Sequence, residues 1–156
     1  MPSKFLNILF ALLILILVQS CGYQPLLTEK YQTFNIDTFN FSGDRKLGHM
    51  LANRFISNKN SKNNLVCKIE IKKDRTISNK DKSGKILEYT LNISLNLEAL
   101  STLDGSSVLK KSYSEKRSYK ASKFYLDTLS REKIIADDLV KSIANQITND
   151  LNVIYN

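Results

Sequence analysis

An α+β sandwich, with two helices packed on one face of a four-stranded, mostly antiparallel sheet, is the fold that three features of this sequence predict. The first is Leu87 to Ala99, where Leu87, Tyr89, Leu91, Ile93, Leu95, Leu97 and Ala99 alternate with Glu88, Thr90, Asn92, Ser94, Asn96 and Glu98. Period two over that length is a strand with one dry and one wet face. The second is Ser130 to Ile154, which carries Ile135, Leu139, Ile143, Ile147 and Leu151 at steps of four, the stripe of an amphipathic helix. The third is the order of elements, strand, helix, strand, strand, strand, helix, in which the last helix and the dry sheet face each need what the other offers.

The elements follow in chain order. Phe34 to Phe39 reads as a first strand, closed by Gly43 and Asp44. Leu47, Leu51 and Phe55 then fall four apart with Met50 beside them, and Asp44 is positioned to cap the helix they define. Ser57 to Asn64, rich in Asn, Ser and Lys, is a loop. Leu65, Cys67, Ile69 and Ile71 alternate with Val66, Lys68, Glu70 and Lys72 in a second strand. Asp104-Gly105 ends the long third strand in a turn. Val108 to Tyr119 is a fourth strand whose basic and hydroxyl residues suit a sheet edge.

The N-terminus has a different character. Lys4 precedes Phe5 to Val18, an apolar run broken only by Asn7, and Gln19 and Ser20 end it. That is the order of a secretory signal, and the run falls short of the about 20 residues a spanning helix needs. Val18-Gln19-Ser20-Cys21 resembles the bacterial lipobox, with a branched residue at minus three, a small one at minus one, and the less typical Gln19 between them. Residues 1–20 are therefore read as a lipoprotein signal peptide, 21–30 as a tether and 31–156 as a single domain, with lipid attached at Cys21. An uncleaved anchor with a free Cys21 thiol and an ordinary cleaved signal are the alternatives. Cys67 then has no partner for a disulfide, and its alternating context makes it a small buried apolar residue.

Charge is clustered. The chain carries +8 overall. Lys59 to Lys85 holds nine bases against three acids, Lys110 to Lys123 six against one, and Leu126 to the end three against five. Such clustering marks either an anionic partner or a solvated sheet edge. Export removes nucleic acid from the candidate partners, and no aromatics are interleaved with the bases as a stacking platform requires. Membrane phosphates and anionic glycolipids fit the compartment.

No catalytic constellation emerges, so a binding or assembly protein is expected, without catalytic residues, cofactor or metal ligands. His49 lies off the Leu47, Leu51, Phe55 line and has no HExxH-type partner. Asp137 and Asp138 are adjacent on a predicted helix, where their side chains diverge by roughly 100 degrees and cannot meet at one metal.

Four stretches in this order resemble the LPS-assembly lipoprotein LptE family: Cys21-Gly22-Tyr23-Gln24-Pro25-Leu26; Asp44-Arg45-Lys46-Leu47 through Arg54; Lys82-Ser83-Gly84 followed by Glu88-Tyr89 and the long strand; and the closing helix. The resemblance implies an outer-membrane lipoprotein that plugs an LptD-type β-barrel, helps assemble it, and assists insertion of lipopolysaccharide into the outer leaflet. Gly22, in place of an inner-membrane-retaining Asp, fits the outer membrane. The even-numbered residues of the long strand suit a polar barrel lumen, as they suit an ordinary wet sheet. Family members bind lipopolysaccharide through basic residues near the sheet's turns, which points here to Lys82 with Lys80 and Lys85 beside it. Lys116, Arg117, Lys120 and Lys123 are further candidates by proximity. A periplasmic transport-auxiliary or binding-module lipoprotein of another envelope machine is the second reading.

Overall fold

The computed structural model describes residues 32–155. The signal peptide (1–20) and tether (21–30) that the sequence predicts, with Cys21, lie outside them. The described chain runs β1 (Asn35–Gly43), α1 (Arg45–Ala52), β2 (Asn64–Lys80), β3 (Ile86–Ser101), β4 (Ser107–Lys120) and α2 (Tyr125–Tyr155). The four strands form one sheet in the order β1-β2-β3-β4. β2 and β3 pair antiparallel, as do β3 and β4, while β1 runs parallel to β2. A parallel pair needs a crossover, and α1 with the 53–63 loop supplies it. As the sequence predicts, the sheet is mixed but mostly antiparallel, both helices lie against one face, and β4 is an edge.

The odd-numbered positions of β2 and β3 make the dry face. Leu65, Cys67, Ile69, Ile71, Leu91, Ile93, Leu95, Leu97 and Ala99 are all buried. α2 lays Ala136, Leu139, Val140, Ile143, Ala144, Ile147 and Leu151 across them. Leu47 and Leu51 of α1 close the β1 side. Burial pushes the Cys67 thiol up to about 12, the behaviour of an inert core cysteine.

Several boundaries differ from the periodicity. β2 continues eight residues beyond Lys72, because the ladder with β3 runs on to Lys80↔Ile86 after apolar alternation has stopped at Ile71. Lys73 and Arg75 occupy the dry-face positions there, and α2 meets them with a carboxylate. α1 ends at Ala52, so Phe55 reaches the core from the following turn and packs against Phe39, ring centroids 5.6 Å apart. α2 begins at Tyr125, five residues before the predicted start at Ser130. At 31 residues and 1.5 Å each it spans about 46 Å, nearly the length of the sheet.

The β1–α1 junction depends on one glycine. Gly43 has φ 85°, and a Cβ there would run into the Ile71 carbonyl oxygen, which accepts from Asp44 N–H at 3.0 Å. Asp44 then caps α1 by accepting from Leu47 N–H at 3.1 Å. The strand thus turns into its helix within one residue.

Ile143 is fully buried at the centre of the α2 contact. Ile143→Ala is expected to cost about 2–5 kcal/mol, read as a lowered urea midpoint with an unchanged denaturant slope.

Candidate functional site

Because both helices lie on one side, no element among the described residues covers the even-numbered face of the sheet. β3 contributes Thr90, Asn92, Ser94, Asn96 and Glu98; β4 contributes Lys110, Ser112, Ser114, Lys116 and Ser118; β2 contributes Lys68, Glu70 and Lys72. These side chains satisfy one another across the strands. Ser112 Oγ donates to Asn96 Oδ1 at 2.7 Å, Asn96 Nδ2 to Glu70 Oε2 at 3.2 Å, and Ser114 Oγ to Asn92 Oδ1 at 3.1 Å. Glu98 lies between Lys68 at 3.8 Å and Lys110 at 3.7 Å. Around Asn96 and Glu98 the face forms a shallow trough of about 590 Å³ lined by residues of all four strands. Its side chains hydrogen-bond through short polar groups, as a wet surface requires.

The opposite side of the same strands divides the basic residues into two populations. Those on β2 and β4 that face α2 are neutralised. Glu132, buried on α2, receives Lys73 Nζ at 3.1 Å, Arg75 Nη1 at 2.9 Å and Tyr119 Oη at 2.9 Å. Arg75 also lies over the Tyr89 ring at 4.8 Å. Lys111 and Tyr113 both donate to Asp150 Oδ2 at 2.7 Å, and Arg117 donates to Asp138 at 2.9 Å. Asp137 pairs instead with Arg54, after α1. The two adjacent aspartates therefore diverge as predicted, each fastening α2 to a different flank.

The other population stands at the β2–β3 hairpin. Asp81 shapes that turn by accepting from Ser83 Oγ at 2.6 Å, Ser83 N–H at 2.9 Å and Lys85 N–H at 3.0 Å. The Ser83 hydroxyl bond, with those from the two backbone amides, holds the Asp81 carboxyl below its usual value. Gly84, at φ 84°, takes the left-handed position of the turn. Lys80, Lys82 and Lys85 are exposed and make no ion pair among the described residues.

The later candidates separate by register. Lys120 is opposite Glu88, and Ala121 N–H donates to Leu87 O at 2.9 Å, so Lys120 and Lys123 come to the hairpin end of the sheet. Lys116 is opposite Asn92, further along the open face, and Arg117 faces α2. Five lysines thus share one end, drawn from two segments more than thirty residues apart.

Sequence reasoning missed the apolar component of this end. Ile77, Leu87, Phe124, Tyr125, Leu126 and Leu129 are exposed there by 47, 40, 66, 62, 75 and 38 %. The signal was Phe124-Tyr125-Leu126 directly after Lys123, an apolar triplet ahead of the helical stripe. His49, by contrast, is exposed on α1, edge-on to the Phe41 ring.

No protein-family model matches this sequence, and no curated protein matches it. Solved structures do share its fold. Lipoprotein B of Nitrosomonas europaea is similar with a TM-score of 0.56 and 13% identity, over 83% of this chain and 91% of that one. The rare lipoprotein B of Shewanella oneidensis gives 0.53 and 13%, over 74% and 93%. A minor lipoprotein of Acinetobacter baumannii gives 0.51 and 16%, over 80% and 94%. The α+β sandwich of residues 32–155 is thus a fold that bacterial lipoproteins use.

Burial works to raise the Glu132 carboxyl, but the bonds from Tyr119, Lys73 and Arg75 outweigh it and hold it below its usual value. A depressed carboxyl stabilises the fold above its unfolded pKa of about 4.3 and loses that contribution as pH falls through the folded value. Glu132→Gln should cost about 1–3 kcal/mol at pH 7, since its cationic partners are one-third exposed and stay hydrated. Urea unfolding at pH 7 and pH 3 is expected to show a smaller acid loss in the variant than in the parent.

Proposed function

We propose that this chain is a lipid-anchored outer-membrane lipoprotein of the LptE type, which plugs and helps assemble an LptD-type β-barrel and assists lipopolysaccharide insertion. The observation that carries the reading is the division of the sheet. Among the described residues, one face is a polar surface with no helix over it, and one end gathers lysines without ion-pair partners beside exposed apolar side chains. A polar face carried across a four-stranded sheet is the surface that a water-lined barrel lumen accommodates. The lysine and apolar end has the two chemistries of an anionic glycolipid, phosphate and acyl chain, side by side. The fold shared with bacterial lipoproteins and the lipobox before Cys21 support membrane attachment. Two or more acyl chains on that cysteine hold firmly, where a single chain binds reversibly. The role is one of binding and assembly rather than catalysis.

Gentle-detergent capture of the tagged protein from native membranes, with mass spectrometry of its companions and mature N-terminus, tests the whole reading. An acylated Cys21 and a stoichiometric large β-barrel are expected. An acylated Cys21 with an inner-membrane or peptidoglycan partner instead would assign the chain to another envelope machine as a transport-auxiliary or binding-module lipoprotein. Cys21→Ala is expected to abolish incorporation of labelled fatty acid, and retained label would refute the attachment site.

For the hairpin, the triple change of Lys80, Lys82 and Lys85 to Glu should weaken lipopolysaccharide binding about 10- to 100-fold at low salt, given roughly 0.5–1 kcal/mol for each exposed contact. Barrel association should persist. Unchanged affinity for lipopolysaccharide at low salt would rule the turn out as its binding site.

A further inference from the structure

The end of the domain away from the hairpin carries its own apolar surface, and the chain arrives there. Leu103, at the tip of the β3–β4 turn, is 85% exposed, and Val153, near the end of α2, is 79% exposed. Ile56 and Ile154 are each 43% exposed. Hydrogen bonds gather these residues at one end. Gln32 Nε2 donates to Ile56 O at 2.7 Å, Thr33 N–H donates to Asn152 Oδ1 at 3.1 Å, and Thr102 N–H donates to Asn64 O at 3.0 Å. Burial, and after it the Asp104 charge, raises the Tyr155 phenol. Lys59 and Lys62, on the neighbouring loop, are exposed and make no ion pair among the described residues.

We propose that this end, with Leu103 and Val153 foremost, docks into the interface of the bilayer that holds the acylated Cys21, and so sets the orientation of the domain. The inference rests on the lipoprotein reading above. Gln32, the first described residue, belongs to this same end. The ten residues between it and Cys21 extend at most about 40 Å. An anchor on so short a tether holds this end against the lipid surface at high effective concentration. Isolated leucine and valine side chains with two lysines on the neighbouring loop suit that surface, the apolar groups reaching the acyl boundary and the ammonium groups meeting headgroup phosphates. β2, with 17 residues at about 3.3 Å each, places the lysine hairpin at the far end of the sheet from the docked surface.

The test uses the absence of tryptophan from the chain. Leu103→Trp, and Ser114→Trp midway along the open face as the control outside both poles, each give a single emitter at an exposed position. The full acylated protein is reconstituted into phosphatidylethanolamine and phosphatidylglycerol vesicles, with or without bromine on the acyl chains. Leu103→Trp is expected to shift to the blue and lose most of its emission to the brominated lipid, while Ser114→Trp does neither. Equal responses from the two positions in protein that floats with the vesicles would overturn the docking proposal and leave the lipoprotein reading standing. A blue shift of Leu103→Trp that grows with protein concentration in lipid-free buffer would assign the surface to a second copy, and also overturn it. Protein that neither floats nor carries acyl chains by mass spectrometry would end both readings together.

Discussion

A four-stranded sheet has two faces, and the described chain has helix enough to cover one. Every other feature of the domain follows from that inequality. The covered face is built from alternating apolar residues whose removal from water is the main stabilising term. α2 alone spans most of its length, so the helix and the dry face depend on each other for burial. The uncovered face has no such partner and is made of short polar side chains that hydrogen-bond across the strands. It needs no further cover to be stable in water, which leaves it available for a polar partner.

The cover is also electrostatic. Where the apolar alternation of β2 and β4 gives out, the dry-face positions are held by Lys73, Arg75, Lys111 and Arg117, and α2 answers with Glu132, Asp150 and Asp138. The acidic balance of the C-terminal helix thus neutralises part of the basic balance of the sheet. Of the strand and hairpin bases, those without an ion pair among the described residues stand mostly at the hairpin, with Lys116 alone on the open face. Clustering of charge in the sequence overstates the exposed basic surface, and pairing with α2 identifies which lysines are left over.

The domain consequently has two unlike poles. At one, Lys80, Lys82, Lys85, Lys120 and Lys123 stand around Phe124, Tyr125 and Leu126. At the other, where the chain arrives, Leu103 and Val153 project with Lys59 and Lys62 nearby. Under the proposed role, one pole holds a membrane and the other meets an amphipathic anion. Fold alone carries no function, so the argument for the proposed role lies in these surfaces.

By itself the sequence determined the period-two strand, the stripe of the long helix, the cap at Asp44, the edge position of β4 and the inert burial of Cys67. Each is a local pattern with a single physical outcome, because side-chain alternation and helical spacing decide which face meets the core. Only the tertiary structure decided that β2 runs on to Lys80, because there the ladder is continued by backbone bonds to β3 while the side chains cease to alternate in polarity. Only it sorted Arg117 and Lys111 from Lys120 and Lys123, since whether a cation is free depends on an acid from a distant helix. The same holds for the two poles, whose residues are far apart along the chain and are brought together by strand register. Local chemistry specifies elements, and the pairing of elements specifies which of their charges and apolar groups are left for a partner.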